Sequence, residues 1–304
     1  MAIRKKILVT GAKGMLGTDL VARLKATRKY DVVPVDVEEM DVTRLAQVKA
    51  VMLDCRPQIV IHCAAYTNVD RAESERELAM AVNSEGTKHI AFFCRELSAD
   101  MLYISTDYVF DGTKPTPYVE TDLPNPINVY GESKLAGEMH VMVLLERYKI
   151  CRTSWLCGVH GRNFIDTILS AVAEGRPLSV VNDQVGRPTF AFDLATALVW
   201  LLERPEYGIY HVTNSGFCSW YEFAQQIVQL SGAKNVTMRP ITSEQFRSLA
   251  RRPHYSVLEN RLLEQRGFRP LPRWETSLKE YLARRAELAK SGNLPSAPRR
   301  GTSK

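Results

Sequence analysis

The chain has 304 residues, 45% hydrophobic and 24% charged, with a formal net charge of +6. That length and composition suit an ordinary globular protein with one large or two modest domains. No run of eighteen apolar residues occurs, which argues against a membrane-spanning helix. The basic excess is concentrated between Arg284 and Lys304, leaving no basic stripe elsewhere for nucleic acid.

In chain order, Lys6–Thr10 is a short apolar run rich in β-branched residues. It ends in Gly11-Ala12-Lys13-Gly14-Met15-Leu16-Gly17 and passes into a helix from Thr18 to about Ala26. A strand, a glycine turn and a helix N-terminus in that order let the backbone approach a pyrophosphate. A second strand, Asp31–Asp36, ends in an acid roughly 20 residues beyond the glycines, where a ribose-binding carboxylate is expected. Asp41-Val42-Thr43 reads as a helix start, with Arg44–Asp54 as the helix. Ile59–Cys63, Met101–Thr106 and Ile150–Trp155 are further continuous apolar strands, the pattern of a parallel sheet buried on both faces.

After Trp155 the pattern loosens. Helices are predicted at Phe164–Ala173, Ala191–Leu202 and Ser219–Leu230, with extended pieces at Leu178–Val181 and Ile209–Thr213. The expected fold is α/β: a Rossmann-type doubly wound parallel sheet with a smaller C-terminal α/β substrate lobe. Residues 1–155 form the dinucleotide-binding domain, with segments to about 200 partly shared. Residues 156–287 form the lobe, and 288–304, basic and rich in Ser, Pro and Gly toward the end, read as a disordered tail.

Tyr130 and Lys134 stand four apart, on one face of a helix. A tyrosine hydroxyl has an ordinary pKa of about 10, and a neighbouring ammonium favours the phenolate. Lys134 is therefore expected to bring Tyr130 toward the range useful for acid–base catalysis. Ligands bind outside the carboxyl ends of such strands, which is where Gly11, Thr106 and Tyr130 fall. Thr106 is placed to orient a substrate oxygen to which Tyr130 passes a proton.

The remaining conspicuous residues read as packing. The six cysteines lack C-x-x-C spacing and are expected to be buried, reduced thiols in a cytoplasmic protein. His62 lies within a strand, the other histidines share no ligand spacing with carboxylates, and no metal is expected. Trp200, Trp220 and Trp274 are expected to pack in the core or lobe.

Ala64-Ala65-Tyr66-Thr67-Asn68-Val69-Asp70-Arg71-Ala72-Glu73, Ser105-Thr106-Asp107-Tyr108-Val109-Phe110-Asp111-Gly112, Pro126 to Glu138, Arg152-Thr153-Ser154-Trp155, Asn163-Phe164 and Val181 to Thr189 together carry a resemblance. With the G-x-x-G-x-x-G loop, they resemble the extended short-chain dehydrogenase/reductase superfamily and, within it, the dTDP-4-dehydrorhamnose reductase family. The resemblance covers roughly residues 5 to 285. It implies NADPH or NADH as cofactor and a nucleotide sugar as substrate. Gly11, Gly14, Met15, Leu16 and Gly17 would lie at the pyrophosphate, Asp36 at the adenosine ribose, and Asp41 and Val42 near the adenine. Ala65, Tyr66 and Thr67 would line the nicotinamide side. Thr106 and Asp107 would contact the sugar, Tyr130 would donate the proton, and Lys134 would bind the nicotinamide ribose. Trp155 would sit against the substrate and Arg187 beside its diphosphate. Some members dimerise through a magnesium site of acidic residues whose positions are not matched here; a homodimer stays open.

Dehydratases of the superfamily carry an Asp-Glu pair after this Ser-Thr, whereas here Asp107 is followed by Tyr108. Ketone reduction is favoured over dehydration. Asp36 favours NADH by repelling a 2′-phosphate, while Lys13 would attract that phosphate, so use of both is expected, with a mild lean to NADPH on physiological grounds. Two alternatives remain: a non-catalytic NADP-binding regulatory subunit similar to the methionine adenosyltransferase β subunit, and a reductase of another nucleotide sugar.

Overall fold

The computed structural model describes residues 4–292. β1 (Lys5–Thr10) leads through α1 (Met15–Thr27), β2 (Tyr30–Val35) and α2 (Leu45–Cys55) to β3 (Ile59–His62). Two short helices, α3 (Val69–Ser74) and α4 (Arg76–Met80), pass through a π-helical turn at Ala81–Gly86 into α5 (Thr87–Glu96). β4 (Asp100–Thr106), α6 (Val129–Leu144) and β5 (Tyr148–Thr153) follow. Then come β6 (Leu156–Cys157), α7 (Phe164–Ala173), β7 (Leu178–Val181), β8 (Val185–Gly186), β9 (Thr189–Phe190) and α8 (Ala191–Leu202). The chain continues with β10 (Gly208–His211), β11 (Cys218–Ser219), α9 (Trp220–Ser231), β12 (Met238–Ile241), α10 (Ser243–Phe246), α11 (Arg261–Gln265) and α12 (Trp274–Lys290).

Six strands form one parallel sheet in the order β2-β1-β3-β4-β5-β10. Both faces are covered, which is why its strands are continuous apolar runs. Ile7 and Val9 of β1 pack with Leu16, Leu20 and Leu24 of α1 and with α8. Leu8, between them, points the other way into a layer with Val48 and Met52 of α2, Ile90 of α5 and Val141 of α6. Each such fully buried aliphatic side chain contributes about 1.5–3 kcal/mol. A third cluster, around Phe190, Phe223, Trp274 and Tyr281, joins α7, α9 and α12 into a smaller unit.

Boundaries shift where local hydrogen bonds decide them. α1 begins at Met15, before the expected Thr18, because Gly14 serves as its N-cap in an extended conformation. α2 begins at Leu45 because Asp41 Oδ1 accepts from the Thr43 amide (3.0 Å) and hydroxyl (2.7 Å), forming a turn ahead of the helix. β10 completes the central sheet from residues past 200, farther along the chain than the expected sharing. α12 runs to Lys290, so the start of the 288–304 segment expected to be disordered is helical; positions 293–304 lie outside the described residues. The chain leaves β1 for β2 on one side and returns to β3 on the other. That reversal opens a crevice at the carboxyl ends of the strands.

Candidate active site

The crevice begins at the glycine loop. Gly11 has φ +61°, and a methyl carbon built on it would lie 2.7 Å from the Ala64 amide nitrogen. One on Gly17 would lie 2.1 Å from the Gly11 carbonyl. Only glycine permits these approaches. Among the described residues, α1 has no side-chain N-cap bond and no acid in its first turn, so its free N–H groups and dipole face the crevice uncompensated. The backbone cradle fits a dinucleotide pyrophosphate.

Asp36 lines the cleft beside the glycine loop. Its Oδ2 accepts from the Lys13 amide (2.7 Å) and its Oδ1 from the Val37 amide (2.9 Å). The Lys13 ammonium, expected to attract a 2′-phosphate, is instead bonded to Glu38 (2.9 Å) and Glu39 (3.1 Å), which raise its pKa. Two exposed carboxylates therefore compete for that cation.

Thr106 ends β4, donating to Asp107 Oδ1 (3.1 Å) and accepting from the Tyr108 amide (3.2 Å). Asp107 is buried and also accepts from Ser256 (2.6 Å). Burial pushes its carboxyl up to about 6 against the lowering effect of those hydroxyls. Tyr130 stands in the first turn of α6, whose N-cap Asn128 accepts from the Gly131 amide at 2.8 Å. Its ring lies edge-on to Tyr108, centroids 5.7 Å apart. Loss of water around the hydroxyl pushes Tyr130 up to about 12; Thr106 lowers it and the Asp107 charge raises it.

Lys134 is buried, its Nζ donating to the Ile104 carbonyl (2.7 Å) and lying 4.1 Å from the Tyr103 ring centroid. Burial brings its pKa down to about 7, opposed by Glu138 and Cys63. The expectation that Lys134 depresses Tyr130 is not met: desolvation dominates both groups.

Two networks hold these residues in place. Asn83 Oδ1 accepts from the Tyr66 amide (2.8 Å), while its Nδ2 donates to the Tyr66 carbonyl (3.0 Å) and to Ser133 (2.9 Å). Ser133 donates in turn to the Tyr130 carbonyl at 2.8 Å, tying the Ala65-Tyr66-Thr67 loop to α6. Behind them, Glu138 and Arg152 form a fully buried bidentate pair (2.9 and 2.6 Å), and Ser105 donates to the same carboxylate at 2.5 Å. His62 is part of the packing as expected, with Thr10 at 2.7 Å and Thr87 at 3.2 Å, and burial takes its pKa down to about 3.

An aromatic wall closes the far side. Trp155 adopts φ +46° and stacks on Trp220, centroids 3.5 Å apart at 6°; Phe164 lies 4.6 Å from Trp220. Trp220, expected only to pack, thus lines the crevice. Trp200 on Phe268 and Trp274 on Phe223 do pack as expected. One cleft of about 930 Å³ joins the glycine loop, Asp36, Asp41, Val42, Ala65, Tyr66, Thr67, Thr106, Asp107, Tyr130, Lys134 and Trp155. Arg187 does not line it. Its carbonyl accepts from Ser154 (2.7 Å), and its buried Nε is without a hydrogen-bond partner among the described residues. Arg162, Asn163 and Phe164 line the cleft as well, a placement that nothing in their local spacing signals.

A switch-point crevice with a glycine loop at one end and a Thr–Tyr–Lys set at the other defines a dinucleotide-binding oxidoreductase of the extended short-chain class. The model for the RmlD substrate binding domain matches residues 5–287, and the chain belongs to that family. A dTDP-4-dehydrorhamnose reductase from Bacillus anthracis, solved in complex with NADP, is 42% identical. Its match covers 93% of this chain and 100% of that one, with a TM-score of 0.90. A dTDP-4-dehydrorhamnose reductase from Streptomyces griseus is 41% identical over 283 residues, 91% of this chain and 93% of that protein. A dTDP-4-keto-6-deoxy-D-glucose reductase from Streptomyces niveus is 39% identical over 272 residues, 89% of this chain and 94% of that protein.

Proposed function

We propose that the protein reduces the C4 ketone of dTDP-4-dehydro-L-rhamnose to the alcohol of dTDP-L-rhamnose, using NADPH or NADH. The observation that carries this reading is the meeting of Thr106, Tyr130 and Lys134 with the glycine loop in one cleft. Residues up to about 155 hold the dinucleotide, and 156–287 supply the wall for the sugar nucleotide.

When bound in this cleft, the nicotinamide would supply the hydride that C4 receives. The chain's own residues do the rest. Thr106 and Tyr130 hold the ketone oxygen by hydrogen bonds and so polarise the carbonyl. Tyr130, with its pKa near 12, is protonated at any physiological pH and passes its proton to O4 as charge develops there. The Lys134 ammonium stabilises the phenolate left behind and bonds the nicotinamide ribose. Asp107, held by the Ser256 hydroxyl, fixes Thr106 and faces the sugar. Trp155 and Trp220 offer a flat apolar surface to the sugar ring. The six unpaired cysteines accord with a reducing, cytoplasmic setting.

A second substrate, another dTDP-4-keto sugar, is favoured by the similarity to the Streptomyces niveus reductase at nearly the same identity. The test is loss of reduced-nicotinamide absorbance with enzymatically generated dTDP-4-dehydro-L-rhamnose, set beside dTDP-4-keto-6-deoxy-D-glucose. Tyr130→Phe is expected to cut kcat about 10²–10⁴-fold and leave NADPH affinity near that of the parent. Turnover undiminished in Tyr130→Phe removes the proton-donor role, and absence of turnover with either sugar removes the reductase reading.

A further inference from the structure

We propose that Arg162 is the cationic partner of the cofactor's pyrophosphate, delivered across the cleft from the C-terminal part of the chain onto the N-terminus of α1. This rests on reading the cleft as a dinucleotide site.

A pyrophosphate brings two negative charges to α1, whose first turn offers N–H groups and a dipole but no cationic side chain. Among the described residues, three cationic side chains line the cleft: Lys13, Lys134 and Arg162. Lys13 is held by Glu38 and Glu39 at the adenosine end. Lys134 is buried on the Ile104 carbonyl at the catalytic end. Arg162 is exposed and makes no ion pair or hydrogen bond among the described residues. It is the cation left to meet an anion in the middle of the cleft.

The turn that carries Arg162 is built against the pyrophosphate loop. A methyl carbon on Gly158 would lie 2.6 Å from Met15 Cγ, and one on Gly161 would lie 3.2 Å from Met15 Cβ. Met15 is the first residue of α1, so the backbone just before Arg162 rests on the helix end that receives the phosphates. His160, two residues earlier, approaches Asp19 of the same helix (3.7 Å). The turn is also held in shape. Asn163 Nδ2 donates to the Gly158 and Gly161 carbonyls (3.0 and 3.1 Å), and its Oδ1 caps α7. A planar guanidinium on such a base suits phosphate oxygens, which it grips two at a time.

The diphosphate of a sugar nucleotide offers the same chemistry. Contact of the turn with Met15, rather than with the Trp155 wall alone, assigns Arg162 to the cofactor.

The full-length protein and its Arg162→Met and Arg162→Lys variants would be titrated by calorimetry with NADPH, ADP-ribose and dTDP. Arg162→Met keeps the apolar stem and removes the charge at an exposed position. It is expected to weaken NADPH and ADP-ribose about tenfold, the size of one charge-assisted hydrogen bond. Binding of dTDP should stay within twofold, and Arg162→Lys should regain part of the loss. NADPH affinity unchanged in Arg162→Met overturns the assignment, as does a loss confined to dTDP, which hands the arginine to the sugar nucleotide. A parent protein that binds neither NADPH nor ADP-ribose overturns instead the dinucleotide reading beneath it.

Discussion

The Lys134 ammonium donates to the Ile104 carbonyl at 2.7 Å, on the strand residue just before the Ser105-Thr106 pair that ends β4. The strand that carries Thr106 and the helix that carries Tyr130 are thus joined through the lysine itself. The contact leaves a buried cation with the Tyr103 ring 4.1 Å away and, among the described residues, no carboxylate bonded directly to it. Function and stability pull against each other at this side chain.

The first prediction follows from that conflict. Burial lowers Lys134 from its ordinary 10.5 to about 7. Because the folded pKa lies below the unfolded one, the unfolded chain binds the extra proton between about 7 and 10.5, and stability rises with pH across that window. Below about 7 both states are protonated and the native protein carries the full burden of the buried charge. Lys134→Met should therefore raise the unfolding free energy at pH 7 by on the order of 1 kcal/mol while removing most turnover. For the parent, the rate of ketone reduction should fall as pH rises through about 7, because the ammonium is the useful form. Denaturant titrations and a pH–rate profile check both; a basic limb that survives unchanged in Lys134→Met would mean another group sets it.

The second prediction concerns the Glu138–Arg152 pair. Glu138 is one turn beyond Lys134 on α6, Arg152 is on β5 before Trp155, and Ser105 beside Thr106 bonds the same carboxylate. The pair therefore ties together three elements that carry site residues. Breaking it leaves a buried guanidinium without its counter-charge, a loss of about 3–5 kcal/mol. Glu138→Leu should fall in that range by urea unfolding, and Glu138→Leu with Arg152→Met should recover much of it. A double variant no more stable than the single one would show that packing volume, not the unpaired charge, sets the cost.

Much of this was legible in the chain. Continuous β-branched runs and the glycine loop located β1 to β5 to within about two residues, since propensity and burial agree there. Thr106, Tyr130 and Lys134 were legible because strand ends and i, i+4 spacing fix where side chains gather. The rest depends on tertiary neighbours. Trp220 opens an amphipathic helix and reads like any packing aromatic until Trp155, in its left-handed conformation, meets it. The expected depression of Tyr130 treated Lys134 as a nearby charge in water and left out desolvation, the larger effect on both. Arg187 is expected beside the substrate diphosphate, yet it is its carbonyl, accepting from Ser154, that touches the cleft wall. The lone Asn163 carried a clue, as an N-cap three residues before Asp166, to the turn that presents Arg162.

The third prediction tests the aromatic wall. A methyl carbon on Gly186 would sit 2.4 Å from Cε2 of the Trp155 indole, so Gly186→Ala must push that ring out of its stack on Trp220. A stacked aromatic pair is worth about 0.5–1.5 kcal/mol beyond its area. The sugar nucleotide should bind several-fold more weakly, NADPH within twofold, and tryptophan fluorescence should shift. Unaltered substrate KM with a shifted fluorescence would remove Trp155 from the substrate wall.

The fourth prediction concerns cofactor choice and rests on the competition for Lys13. Asp36 holds the Lys13 amide, and the ammonium is occupied by Glu38 and Glu39 at 2.9 and 3.1 Å. A 2′-phosphate arriving beside Asp36 meets three carboxylates and a cation already engaged, whereas the 2′-hydroxyl of NADH has only Asp36 to satisfy. Exposed ion pairs are individually worth little, so these contacts tune a preference and do not impose one. Replacing both acids, Glu38→Gln with Glu39→Gln, frees Lys13 and removes two repelling charges. The kcat/KM ratio for NADPH over NADH should rise about three- to tenfold, almost wholly through KM and more at low salt than at high. Adding Lys13→Met to that double variant should reverse most of the gain. Steady-state kinetics with both cofactors at two ionic strengths decide the matter. A ratio that rises equally with and without Lys13 would assign the effect to lost repulsion alone, with the ammonium playing no part.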